Sequence, residues 1–144
     1  MTTATDRAER IADLAAAASD ARERVCDAPA DGPIPERDSG EETAVIAGTE
    51  ATSPDDAALI AARDGLGPVV ALYVEARTGG EWIRFSETEM KRLHAATSDW
   101  LAVYARCRGV DVDPDVTVRE AANVLIDTHD ITDVAALLTG LHRA

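Results

Sequence analysis

Apolar positions in the first twenty-five residues recur at alternating steps of three and four: Ile11, Leu14, Ala18, Ala21 and Val25. That spacing predicts an amphipathic helix over 1–26 with a short heptad seam. The seam is narrow and rich in alanine, which suits a helix resting on the rest of the domain, with self-association as its other use. The pattern then breaks. Residues 27–52 carry three of the six prolines, three glycines and seven acids around one apolar pair, Val45 and Ile46. Such a segment cannot bury enough surface to offset its chain entropy, so a flexible acidic linker is expected there, with a short strand near Ala44.

A folded unit is expected over 53–144. Ser53, Pro54, Asp55 and Asp56 have the order of a helix start, and Gly65, Gly67 and Pro68 read as its stop. Next comes "VVALYVEARTGGEWIRF". A two-residue turn at Gly79 and Gly80 would place Leu72, Val74, Ala76, Ile83 and Phe85 on one face of a β-hairpin. Tyr73, Glu75, Arg77, Trp82 and Arg84 would lie on the other. Ser86 with Glu89 has capping-box spacing, and Met90, Leu93, Thr97, Trp100, Leu101 and Tyr104 follow as one helical stripe, closed by Gly109. Thr117 with Glu120 repeats the box and opens a helical hairpin through Ile131, Val134, Leu138 and Leu141. The expected class is α+β, mostly helical: one β-hairpin packed on a small helical bundle.

Charge changes the reading of environment. The net charge is −13, from 27 acids against 14 bases, and Lys91 is the single lysine. Carboxylates hold water and cations well, whereas lysine's apolar stem is a liability when salt strengthens hydrophobic association. The balance suits a halophile-type, salt-adapted cytoplasm, where a Debye length of about 3 Å at molar salt stops net charge from excluding nucleic acid. The start of the chain has no uninterrupted apolar run, so neither a leader peptide nor a membrane partner is expected. Cys26 and Cys107 do not read as a disulfide framework.

Candidate chemistry is thin. Asp111, Asp113 and Asp115 begin like a calcium loop, but Pro114 interrupts it, Val116 stands where the turn needs glycine and Ala122 where it needs a carboxylate. His94, His129 and His142 have no zinc spacing, and Cys107, between Arg106 and Arg108, has no identifiable base. No catalytic residue, metal or cofactor is therefore expected. From Arg77 to Arg108, six bases face four acids, a local +2 that leaves −15 for the rest. This segment is a candidate docking surface, and Tyr73, Arg77, Trp82 and Arg84 are its candidate partner-contact residues, since Arg and aromatic residues anchor interfaces.

The order helix, two-strand hairpin, capped long helix over 53–108 resembles the second half of a winged-helix regulator. The resemblance implies a recognition helix at "PDDAALIAARDG", where Asp55, Asp56 and Asp64 would face phosphate and Arg63 alone could reach a base edge. The sequence is thus read first as a non-catalytic interaction or regulatory module, binding a protein or a second copy of itself through 77–108 or the 5–25 helix. A winged-helix-like DNA-binding regulator is the alternative.

Overall fold

The computed structural model describes residues 4–26, 44–46, 49–51, 53–78, 85–110 and 112–140. Helix α1 spans Ala4–Cys26. Strands β1 (Ala44–Ile46) and β2 (Thr49–Ala51) form an antiparallel ladder in which Val45 pairs with Glu50. Helix α2 (Pro54–Ile60) runs without a break through a π-helical segment, Ala61–Leu66, into α3 (Gly67–Thr78). Helices α4 (Glu87–Cys107), α5 (Val118–Thr128) and α6 (Ile131–Thr139) complete the described elements. Most of the linker predicted for 27–52 lies outside the described residues.

The α+β expectation is overturned: the fold is mostly helical, and among the described residues no hairpin stands where 69–85 was expected to form one. Val69 to Thr78 is helix, while 79–84 fall outside the described residues. Two periods competed in this stretch. Leu72, Val74 and Ala76 alternate as a strand would, but Val69, Val70, Leu72, Tyr73 and Ala76 are the buried positions, and they follow the helical repeat. The expected stop at Gly65–Pro68 also fails. Proline lacks the N–H that would bond four residues back and its ring crowds that carbonyl. Just before Pro68 the ladder widens to π geometry, with Gly67 N–H donating to Ala62 O, and the chain passes on as helix.

Helix α4 is the centre of the bundle. Every residue from Trp100 to Ala105 is buried, so this half of the helix has no solvent face. Helices α1, α2, α3, α5 and α6 and the π segment all pack against it, α1 most extensively. Trp100 lies directly over Gly65 of the π segment: a Cβ built on Gly65 would sit 2.5 Å from Trp100 Cδ2. Only a glycine admits the indole at that distance. Thr97, also fully buried, satisfies its hydroxyl by donating to Leu93 O at 2.8 Å.

Helices α1 and α4 run in the same direction, since Arg7 meets Glu89 and Arg22 meets Asp99. The α1 stripe, Ile11, Ala18, Ala21 and Val25, is buried. Arg22 closes the far end of this packing. Its guanidinium donates to Asp99 Oδ1 at 2.9 Å and to Asp113 Oδ1, in the α4–α5 connection, at 2.7 Å. These two bonds hold the Arg22 pKa above its ordinary value, Asp113 contributing more than Asp99, against a smaller opposing effect of burial. For stability the order reverses, because the Asp113 side chain is 88% exposed and that of Asp99 17%. The drier pair is the less screened by solvent.

The chain ends of the helices follow from local chemistry. Ser53 caps α2 by accepting from Asp56 N, and Ser86–Glu89 and Thr117–Glu120 each form a complete capping box. Gly109, at φ 88°, turns the chain out of α4. His129 ends α5 at φ 62°, a left-handed conformation unusual for a residue with a Cβ.

Two expectations follow from this packing. Gly65→Ala should destabilise the fold by about 1–3 kcal/mol through overpacking against Trp100, although glycine to alanine in an exposed helix gains about 1 kcal/mol. Urea unfolding followed by tryptophan fluorescence gives the sign, and a stabilised variant would mean that the indole does not rest on Gly65. Arg22→Ala should cost about 1–2 kcal/mol, mostly through Asp99 left without its donor. Arg22→Lys should recover only part of that loss, because an ammonium cannot span both carboxylates as a planar fork does. Full recovery with lysine would remove the two-carboxylate bridge as the cause.

Candidate functional site

The four predicted partner-contact residues do not share a strand face. Tyr73 is in α3 and 5% exposed, so it is a core residue and not a surface contact. Arg77 is in the last turn of α3, and Trp82 and Arg84 fall outside the described residues. What Tyr73 does contact is Phe85, just before α4: the ring centroids are 5.9 Å apart with an interplanar angle of 14°, a stacked pair.

A third group completes this corner. Arg7, from the first turns of α1, places its guanidinium carbon 5.7 Å from the centre of the Phe85 ring. Arg7 Nη2 is also 3.9 Å from Glu89 Oε1, an ion pair beyond hydrogen-bond distance, and the same oxygen accepts from Ser86 N at 2.8 Å. Arg7 Nε is buried and has no hydrogen-bond partner among the described residues. The end of α3, the start of α4 and the start of α1 thus meet at a stacked aromatic pair capped by a cation with one donor unused. Burying such a donor without an acceptor costs about 1–3 kcal/mol. On the solvent side of α4, next to this corner in sequence, Lys91 and Arg92 are exposed.

Arg7 is not among the residues singled out from the sequence, although the spacing held a signal for it. It extends the α1 stripe by one step of four before Ile11, so the helix turns a charged residue toward the surface it packs on. A cation on a packing seam requires a partner on the facing element, and the sequence alone does not say that Phe85 and Glu89 supply it.

A second polar constellation fastens the chain entering α5 to α4. Ser98 Oγ accepts from Val116 N at 3.2 Å and donates to Val116 O at 3.1 Å. One turn earlier, His94 Nδ1 accepts from Val118 N at 3.1 Å. Val118 is the first residue of α5, so the imidazole satisfies one of the helix's unpaired N-terminal donors. Burial lowers the His94 pKa below 6.5, with the Glu120 carboxylate opposing that shift more weakly. His129, by contrast, is exposed at the end of α5.

Among the described residues, no group of three or more His, Cys, Asp or Glu side chains is placed to hold a metal ion. Asp113, part of the calcium-like spacing, is bonded to Arg22. Cys107 is buried in α4. The stretch Asp55–Ala76 is long and apolar enough to cross a membrane by length and composition, and 61% of its most apolar window is buried, as for a core helix.

No curated protein and no solved structure matches this chain. A family model does match, over residues 5–143, a span that takes in α1, the central helix α4 and both helices of the α5–α6 hairpin. The chain belongs to the family described as a domain of unknown function, DUF8055.

Proposed function

We propose that this chain is a non-catalytic interaction or regulatory module of a salt-adapted cytoplasm, and that it engages a protein partner at the corner where α1, α3 and α4 meet. The observation that carries the reading is Arg7: a partly exposed guanidinium held over Phe85, which stacks on Tyr73. Arginine and aromatic side chains together are the types that dominate interface energetics, and the part of the Arg7 guanidinium that is exposed can donate to a partner's carbonyl or carboxylate. Lys91 and Arg92 make the adjoining side of α4 basic. Ion pairs made in direct contact with these two cations act within the roughly 3 Å screening length of molar salt, which favours a partner surface with exposed carboxylates. The α1 stripe is used within the chain, which favours the corner over α1 as the contact.

The DNA-binding alternative loses its structural support. A wing requires a hairpin after the second helix, and residues 67–78 are helix.

The test is capture at molar salt with the intact chain as bait, beside the double variant Lys91→Glu, Arg92→Glu. Both residues are exposed, so the variant should keep the wild-type helical circular dichroism while losing at least tenfold in recovery of the captured protein. Equal recovery with the fold intact would sink the corner as the contact. Mobility shift of random duplex DNA at two salt concentrations, with a salt-dependent complex, would turn the reading toward nucleic acid. The salt adaptation has its own measurement. Unscreened carboxylate repulsion should loosen the fold as ionic strength falls from molar to millimolar, so the helical signal should drop. A flat signal across that range would remove the salt-adapted reading.

A further inference from the structure

The α5–α6 hairpin buries Val118, Ala121 and Ala122 from α5 and Val134 and Ala135 from α6, with Leu125, Ile131 and Leu138 packed partly buried against the core. Its base is fastened by a polar seam, where Ser98 and His94 of α4 make three hydrogen bonds to Val116 and Val118. The Ser98 bonds do not depend on protonation near neutrality. The His94 bond does, because Nδ1 can accept from Val118 N–H only while its lone pair is free, with the ring proton on Nε2.

We propose that His94 is an acid-sensitive latch, and that its protonation releases the base of the α5–α6 hairpin from α4. Adding a proton to Nδ1 sets one N–H against another and destroys the bond. It also places a cation at the positive end of the α5 dipole, where it is disfavoured. Both effects act on the same turn, so the first consequence is opening of α5 at its N-terminus, with the α1–α4 packing left in place.

The charged groups around the ring agree with this direction. Glu120, on α5, is the carboxylate acting on His94, but its Oε1 is engaged in the capping box, accepting from Thr117 N at 3.0 Å and Thr117 Oγ1 at 3.2 Å. Lys91, three residues back on α4, is exposed, as are Asp115 and Arg119 on either side of the docked segment. Burial outweighs Glu120, so the docked form holds the proton less tightly than the undocked form. The sign follows. The latch contributes fully above the ordinary histidine value of 6.5, and its contribution is lost as the pH falls through the lowered docked value. Within that window the docking constant falls by up to tenfold per pH unit.

The experiment is amide hydrogen exchange on the whole chain at constant molar salt, with the solution pH stepped from neutrality to about one unit below the ordinary histidine pKa and rates corrected for intrinsic pH dependence. The expected result is that amides of 118–139 lose protection by up to tenfold per pH unit while those of 90–105 do not. His94→Gln keeps an acceptor without a titrating ring, and its 118–139 protection should be flat across the range. An identical pH profile in wild type and variant would overturn the latch and assign the loss to carboxylates. Imidazole 15N shifts of the wild type give an independent reading that does not depend on the variant folding. Nδ1 unprotonated at neutrality with a lowered pKa supports the proposal, and Nδ1 protonated, or a pKa at or above the ordinary value, overturns it.

Discussion

The enclosure of one helix is the constraint from which the rest of this fold follows. From Trp100 to Ala105, α4 has no face in water, so neighbours must surround it, and a 144-residue chain has few helices with which to do so. The indole of Trp100 is the largest group to accommodate. It is admitted because Gly65 presents bare backbone to it, in a segment whose π geometry also carries the helix past Pro68. One local widening thus joins two helical stretches and makes the close approach that the central tryptophan requires. Alanines among the buried positions, such as Ala18, Ala21, Ala61 and Ala62, keep the surrounding helices near.

Polar groups fasten the margins of this apolar bundle. Arg22 ties the end of α1 to Asp99 and Asp113. Arg7 ties its beginning to Phe85 and Glu89. Ser98 and His94 hold the entry to α5. Each of these sits where an element begins or ends, and each joins segments far apart in the chain. Such contacts are more conditional than a packed core: the two arginine ties respond to salt, and the histidine to protons. In molar salt the exposed pair with Asp113 would be largely screened, whereas the drier contacts of Asp99 and the Phe85 face would persist.

The candidate site is of the same kind. The Arg7–Phe85–Tyr73 corner is where the first helix of the chain meets the connection between α3 and α4, so any partner seated there would sense the docking of α1. The His94 seam lies farther along α4 and governs a different hairpin. The two constellations are therefore separable by mutation, one at the proposed partner contact and the other at the attachment of α5–α6.

Local sequence determined the helix ends. Ser53, Ser86 with Glu89, and Thr117 with Glu120 cap because their side chains reach backbone donors within their own turn, and Gly109 terminates α4 for a reason equally local. The apolar stripe of α1 and the burial of Trp100 and Tyr104 were also legible, since large or regularly spaced apolar groups mark the buried side of a helix. Two things were not. The stretch 69–78 carries both a strand period and a helical period, and only packing chose between them, by burying Tyr73 and leaving Glu75 in solvent. The burial of Ala96, Ala102 and Ala105 around the rest of α4 gave no signal, because alanine is equally at home inside or outside a helix. The partners of Arg7, Arg22 and His94 lie 24 to 91 residues away in the chain. Sequence spacing carries no record of contacts at that distance, and the tertiary structure alone brings those side chains together.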